Sequence, residues 1–297
     1  MRKIIIAGGS GFLGKALEKR FAEKGDDLYI LTRNPKANNH HKWDAKTKGT
    51  WANHLNKADI LINLTGKSVD CRYTEANKAA ILNSRIESTQ VLNKVVAELE
   101  HPPKVWVNAG SATIYDHSYN HLNTEANGII GNDFSMNVCK QWEAAFFEKD
   151  IPKVRKIVAR TSIVLGNNAG AFLKLKQITK LGLGGKQGNG KQRFSWIHID
   201  DFCRAIEYLI EQSNIEREVN VTAPQPENNT ILMQLLREKY KMPFGLPQPK
   251  WLLEIGAFLI RTETELLLKS RYVYPEKLVN NGFEFEYPTL ELALENL

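Results

Sequence analysis

Seven residues, Gly8-Gly9-Ser10-Gly11-Phe12-Leu13-Gly14, form the pattern in this chain best suited to holding a phosphorylated ligand. Two glycine registers overlap in them, Gly9-x-Gly11-x-x-Gly14 and Gly8-x-x-Gly11-x-x-Gly14. Glycine permits a tight turn and lets the backbone approach a diphosphate, whose charge then rests on the amides that open a helix. A glycine triplet alone carries little information. Here it follows the apolar run Ile4-Ile5-Ile6-Ala7 and opens a helical stretch that ends at Gly25, and strand, glycine turn and helix in that order make a dinucleotide cradle. Gly8, Ser10, Gly11, Phe12, Leu13 and Gly14 are therefore candidate cofactor residues.

The tip of the second strand sharpens the choice of cofactor. A site for NAD carries an acid there to hold the ribose 2′-hydroxyl. This chain reads Leu31-Thr32-Arg33-Asn34-Pro35 instead. Arg33 can pair with a 2′-phosphate through its planar fork, and Thr32 can add a hydroxyl hydrogen bond, so NADP(H) is the expected cofactor. Leu64-Thr65-Gly66 ends the strand expected beside the first, where small residues let the chain pass close to the adenine–ribose half. Arg85, on the following helix, can reach a cofactor phosphate or ribose, or can simply be solvated.

The elements that must position these residues alternate through the first half of the chain. Strands are expected over 3–7, 27–32, 59–64, 104–108 and 156–160, with a short one near 41–44. Helices are expected over 12–24, 74–98 and 134–149. That alternation predicts an α/β, Rossmann-type doubly wound parallel sheet with crossover helices. After Gly166 the character changes. Residues 182–190 hold five glycines in nine and read as a loop, followed by a strand at 196–199, a helix from Asp200 and a strand at 219–222. From Pro224 prolines punctuate short helices. The expected organisation is a cofactor-binding domain over 1–165, completed by about 195–223, and a smaller substrate lobe over 166–194 and 224–297.

Composition sets broad bounds. The 297 residues carry a net charge of +7, with 40 Lys and Arg scattered among 33 acids and no basic run, which speaks against a nucleic-acid surface. A mildly basic field suits an anionic cofactor or substrate. Three cysteines without Cys-x-x-Cys spacing speak against a disulfide framework and a structural zinc. The first strand starts too early for a signal peptide, and no apolar run reaches spanning length, so a cytoplasmic protein with no membrane partner is expected.

Further motifs carry a resemblance. The glycine turn, Asn108-Ala109-Gly110-Ser111-Ala112-Thr113-Ile114-Tyr115 and Gly190-Lys191-Gln192-Arg193-Phe194-Ser195-Trp196-Ile197-His198-Ile199-Asp200-Asp201 resemble the extended short-chain dehydrogenase/reductases of the epimerase/dehydratase branch. In that superfamily a Ser or Thr after the fifth strand orients the substrate, and Tyr-x-x-x-Lys on the next helix does the acid/base work. Four residues put both groups on one helix face, where the lysine cation lowers the tyrosine pKa. This chain keeps the serine, as Ser111. With the family's glutamate aligned on Glu143, the lysine position is Cys139 and the tyrosine position is Ser135. Lys140 lies about 100° further round the helix. The remaining candidates for an unconventional acid are Tyr115, Cys139 and Lys140; Tyr115 reads equally as a packing aromatic.

The departure matches a narrower group. Arg72-Tyr73-Thr74, Ser84-Arg85, Cys139-x-x-Trp142-Glu143, Arg160-Thr161-Ser162-Ile163-Val164-Leu165-Gly166 and Gly182-Leu183-Gly184-Gly185 resemble the atypical NADP-binding epimerase-family proteins. Those proteins end in a domain of unknown function and are sometimes labelled cell-division-inhibitor-like. Residues 256–268, 273–278 and 282–285 resemble that C-terminal domain. The resemblance implies the fold, NADP(H) and a family-level homodimer; it names no substrate.

Two other constellations carry less. Gly185-x4-Gly190-Lys191 has Gln192 where a triphosphate loop needs Ser or Thr, so Lys191, Gln192 and Arg193 are read instead as the wall of a site for a small polar or anionic substrate. His198 and Asp200 alternate on a strand, but no third ligand is evident and no metal is expected; Asp200 or Asp201 reads as a helix cap. Two functional classes remain: an NADP(H)-dependent oxidoreductase or epimerase, or a non-catalytic NADP(H)-binding sensor or interaction protein linked to cell growth or division.

Overall fold

The computed structural model describes residues 1–167, 170–259, 263 and 265–297. The first half alternates as β1 (Lys3–Ala7), α1 (Phe12–Glu23), β2 (Asp27–Thr32), β3 (His40–Lys42), β4 (Ile60–Asn63), α2 (Glu75–Ala97), β5 (Val105–Ser111), α3 (Phe134–Phe147) and β6 (Arg155–Thr161). Then come β7 (Ile163–Leu165), α4 (Gly170–Ile178), β8 (Arg193–Phe194), β9 (Trp196–His198), α5 (Ile199–Glu211) and β10 (Arg217–Val221). The rest comprises β11 (Glu227–Asn228), α6 (Asn229–Lys239), α7 (Lys250–Leu259), α8 (Glu265–Leu268), α9 (Glu276–Asn280) and α10 (Leu290–Asn296).

Seven strands make one sheet in the order β10-β6-β5-β4-β1-β2-β3, and every neighbouring pair is parallel. The doubly wound Rossmann-type sheet expected from the alternation is the fold observed. Its strands are apolar on both faces because both are covered. Ile4, Ile6 and Ile30 share one core with Leu17 and Phe21 of α1 and Phe202, Ile206 and Leu209 of α5. Ile5, Leu31, Leu61 and Trp106, offset by one residue, share the other with Leu92, Val95 and Val96 of α2 and Phe146 of α3.

Strand order reverses direction between β1 and β4, whose carboxyl ends pair at Ala7 and Asn63. Ligands of open α/β sheets bind in the crevice at such a point. The glycine turn after β1 and residues 64–66 after β4 face each other there.

Local chemistry sets the helix starts. Thr74 accepts the Asn77 amide at the head of α2, and Asp133 accepts the Met136 amide at the head of α3. Helix α5 differs from the expectation. His198 is its cap, its Nδ1 accepting the Asp200 amide at 3.2 Å, and Asp200 and Asp201 lie inside the first turn. Asp201 instead accepts the amides of Glu286 and Tyr287, tying the C-terminal segment to α5. β5 also runs three residues past the expected end, paired with β6 through Ser111 and Thr161.

Away from the sheet, Phe172, Leu175, Leu232, Met233, Leu236, Leu290 and Leu294 pack with Leu165 and Trp196 as a core of their own. Leu278 and Phe283, by contrast, join the cluster of the main sheet. In the segment 256–268, residues 260–262 and 264 lie outside the described residues. No described helix is long and apolar enough to cross a membrane.

Candidate functional site

The glycine turn is held from three sides. Gly8 takes a φ of +74° and donates its amide to Leu31 O at 2.9 Å. A Cβ on Gly8 would stand 2.9 Å from Thr65 Oγ1, and one on Gly14 would stand 2.3 Å from Gly9 O. These positions require glycine for close backbone packing. Gly11 differs: its Cβ direction meets nothing nearer than 3.8 Å, so the turn is open there. Helix α1 starts at Gly11 with no side-chain cap, which leaves its first-turn amides for a ligand. The side chains of Phe12 and Leu13 pack against the sheet core. Thr32 is buried and donates from Oγ1 to Ser10 Oγ at 3.0 Å, so it braces the turn.

Arg33 is exposed and stands at the strand tip beside that brace. Thr65 closes the opposite wall. Its Oγ1 is shut off from solvent and lacks a hydrogen-bond partner among the described residues, next to Gly8. A buried hydroxyl left unmet costs free energy unless a ligand satisfies it. Leu64 continues the ladder through its amide to Ala7 O, and Gly66 lies against the Arg85 guanidinium. Arg85 is half-buried, and one of its nitrogens is engaged by the backbone. Its Nη1 donates to Lys67 O and Ile81 O, and the guanidinium lies 5.1 Å from the Trp142 ring centroid. Its role in the structure is to fix the 65–67 loop. Beneath it Asn63 Nδ2 donates to Asn108 Oδ1, and Trp142 Nε1 donates to Thr89 Oγ1.

Ser111 ends β5 half-buried and accepts the Thr113 amide at 3.2 Å. Two of the three candidate acids, Tyr115 and Cys139, are buried in one cluster with Ala112, the residue after Ser111. Tyr115 is buried, accepts from Arg160 Nη1 and donates to Asn220 Oδ1, both at 2.9 Å. Arg160 in turn grips Glu143 with two bonds of 2.8 and 2.7 Å. Burial raises the Tyr115 pKa against the opposing pull of that arginine. Cys139 is buried among Ala112, Ile114, Tyr115 and Val273, and burial with Glu143 nearby pushes its thiol up to about 12. Lys140 donates to Asn132 Oδ1. The phenol and thiol are thus core groups, a placement the sequence read only as an alternative for Tyr115.

What the sequence missed is the group around Ser135. Its Oγ donates to Glu265 Oε1, and the Tyr73 hydroxyl lies 3.5 Å away. Glu265 also pairs with Lys269 at 3.0 Å, and Lys269 reaches Asp133 as well. Tyr73 is half-buried, its pKa raised by that burial, so its phenol stays protonated at neutral pH. The Arg72-Tyr73-Thr74 motif was the available signal, but nothing in its spacing showed that α8 would come to meet it.

Of the basic loop residues, Lys191 and Arg193 line a cavity of about 610 Å³ with Tyr119, Asn120, Asn228 and Thr230. Gln192 turns away from it: it is buried, and its Nε2 donates to Gln187 O. Residues 8–14 and 64–66 do not line it.

Comparison with known proteins gives a consistent neighbourhood. A model of the NAD dependent epimerase/dehydratase family matches residues 4–128, and a model of a domain of unknown function (DUF1731) matches 248–297. An epimerase family protein of Staphylococcus epidermidis is 33% identical over 302 residues, covering 100% of this chain and 99% of the relative. The crystal structure of human epimerase family protein SDR39U1 with NADPH is 28% identical, with a TM-score of 0.89 over 100% of this chain and 98% of that one. A nucleoside-diphosphate sugar epimerase from Corynebacterium glutamicum is 27% identical with a TM-score of 0.80, covering 99% of this chain and 57% of that one.

Proposed function

The chain belongs to the epimerase family, and on that premise we propose that it is an NADP(H)-dependent oxidoreductase or epimerase acting on a small polar substrate. The observation that carries this reading is the fit of the crevice at the strand-order reversal. The turn is packed shut at Gly8 and Gly14, open at Gly11, and faced by the unmet hydroxyl of Thr65. Gly11 and the first-turn amides of α1 would hold the diphosphate, with Ser10 alongside. The exposed Arg33 would take the 2′-phosphate, and Leu64, Thr65 and Gly66 the adenine–ribose half. NADPH is the ligand in the human relative's structure, which supports the same choice.

When bound, the cofactor supplies or accepts a hydride. This chain's own residues would do the rest. Ser111, at the carboxyl end of β5, orients the reacting oxygen. Tyr73 is the proton donor in this reading, since burial keeps its phenol protonated, and it sits beside Ser135, the position where the resemblance places a tyrosine.

The test is NADPH oxidation across a panel of carbonyl and sugar-nucleotide compounds. Ser111→Ala and Tyr73→Phe are expected to lose turnover while keeping NADPH affinity. Retained turnover in both variants would remove Ser111 and Tyr73 from the chemistry. A second reading, a non-catalytic NADP(H)-binding sensor or interaction protein, is favoured by one observation: Tyr115 and Cys139 are core groups and Lys140 is tied to Asn132. NADPH binding without turnover on any compound would favour it.

A further inference from the structure

The seam between the ends of α4 and α6 carries side chains that the cofactor crevice does not use. The chain after α4 runs against residues 244–247 with backbone on backbone. A Cβ on Gly245 would stand 2.5 Å from Gly184 C, and one on Gly185 would stand 2.4 Å from Leu246 C. Leu246 donates its amide to Gly182 O, and a Cβ on Gly182 would stand 3.4 Å from the Phe244 ring. No side chain fits between segments so close, so the apolar ones point outward. Leu181, Phe244 and Leu246 are 73%, 60% and 55% exposed.

Cations surround these residues. Lys176, Lys180 and Lys239 converge on the Tyr240 ring, their ammonium groups 5.7, 5.1 and 5.8 Å from its centroid. Arg237 and Lys241 line a hollow of about 490 Å³ that Pro243, the neighbour of Phe244, also lines. Two acids meet this group: Glu238 in the hollow, which accepts from Gln234, and Glu295, whose charge acts on Lys239. Those five cations against two acids leave the seam basic. Lysines at the C-terminal ends of helices offset the helix dipole, which accounts for some of the charge and for none of the protruding apolar chains.

We propose that this seam docks on an anionic lipid surface. Large apolar side chains set among lysines suit a bilayer interface: the apolar tips enter between the headgroups while the ammonium groups meet lipid phosphates. The hollow lined by Arg237 and Lys241 is placed to take one such headgroup. A second copy of this chain fits less well, because two facing copies would bring like charges together. The apolar chains also project as knobs and frame no groove for a peptide. Such a contact needs no spanning segment, and no described helix could supply one.

Co-sedimentation of the full chain with vesicles tests this, using phosphatidylcholine alone and phosphatidylcholine mixed with phosphatidylglycerol. Binding is expected only to the mixed vesicles and is expected to fall as salt rises. Lys176→Gln and Lys180→Gln are each expected to weaken partitioning about fivefold, the worth of one lysine near a charged membrane. Phe244→Ser combined with Leu181→Ser is expected to weaken it about tenfold or more at unchanged charge. The altered side chains are exposed or half-buried, so Tm and NADPH affinity should match the parent's in every variant. The lysine variants test the seam without touching its apolar chains. Equal binding to both kinds of vesicle, binding to neither, or variants that bind the mixed vesicles as the parent does overturns the assignment. So does sedimentation showing a parent dimer that Phe244→Ser splits into monomers, which would make this face an interface between copies.

Discussion

The Tyr115 hydroxyl bridges Arg160 and Asn220, with both contacts at 2.9 Å, and joins α3 to β6 and β10 through the Glu143 carboxylate. A phenol so engaged is a structural group. Tyr115→Phe leaves Arg160 Nη1 and Asn220 Oδ1 short of a partner, so a loss of about 1–3 kcal/mol in urea unfolding is expected. NADPH affinity should be unchanged. A variant as stable as the parent but without turnover would restore Tyr115 to the chemistry.

Arg33 gives the sharpest test of cofactor choice. It is exposed at the tip of β2, beside the Thr32–Ser10 brace, which positions the turn without involving it. Arg33→Asp is expected to weaken NADPH binding by about 10- to 100-fold, the worth of a charge-assisted hydrogen bond, and to improve NADH binding. Equal affinities for NADPH and NADH in the parent would refute an Arg33 contact with a 2′-phosphate.

The thiols should separate cleanly. Burial pushes both Cys139 and Cys203 up to about 12, whereas Cys71 is half-exposed. The thiolate is the reactive form, so iodoacetamide at pH 8 should modify Cys71 alone in the folded protein and all three cysteines in denaturant. Peptide mass spectrometry reads the outcome. Rapid native labelling of Cys139 would show that its cluster opens and would return it to the list of candidate acids.

His198 should make stability depend on pH. Burial lowers its pKa from 6.5 despite the nearby Asp200, and its Nδ1 must stay unprotonated to accept the Asp200 amide. The unfolded chain therefore binds a proton that the folded protein refuses. Stability is full above about pH 6.5 and falls as pH drops below it, towards the lowered native pKa. His54 and His117 shift in the same direction, so His198→Gln should shrink this loss between pH 7.5 and 5.5 without abolishing it. An identical loss in parent and variant would show that His198 contributes nothing to it.

The parts legible in sequence were those whose causes lie close together along the chain. The turn at 8–14 announces itself because strand, glycines and helix start within a dozen residues, and the apolar strands announce a sheet covered on both faces. Tyr115 was opaque because its partners lie 45 and 105 residues away. Gln192 reads as part of a substrate wall in a glycine loop, yet the fold turns it inward onto Gln187. Arg85 looked free because its carbonyl acceptors are supplied by a loop shape, which composition does not encode. The resemblance puts a tyrosine at Ser135, but nothing local showed that Tyr73 and Glu265 reach it from distant segments.

Leu278 and Phe283 complete an apolar face whose first residue is Ile4. During synthesis the cradle at 8–14 and its supporting strands emerge early, but the part of that face under Leu278 and Phe283 is covered only once residues 276–283 have been made. The sheet therefore reaches its final stability late, after the segment that brings Glu265 to Ser135 of α3 has been made. A protein built this way gains its ligand-holding crevice and its finished core on different schedules.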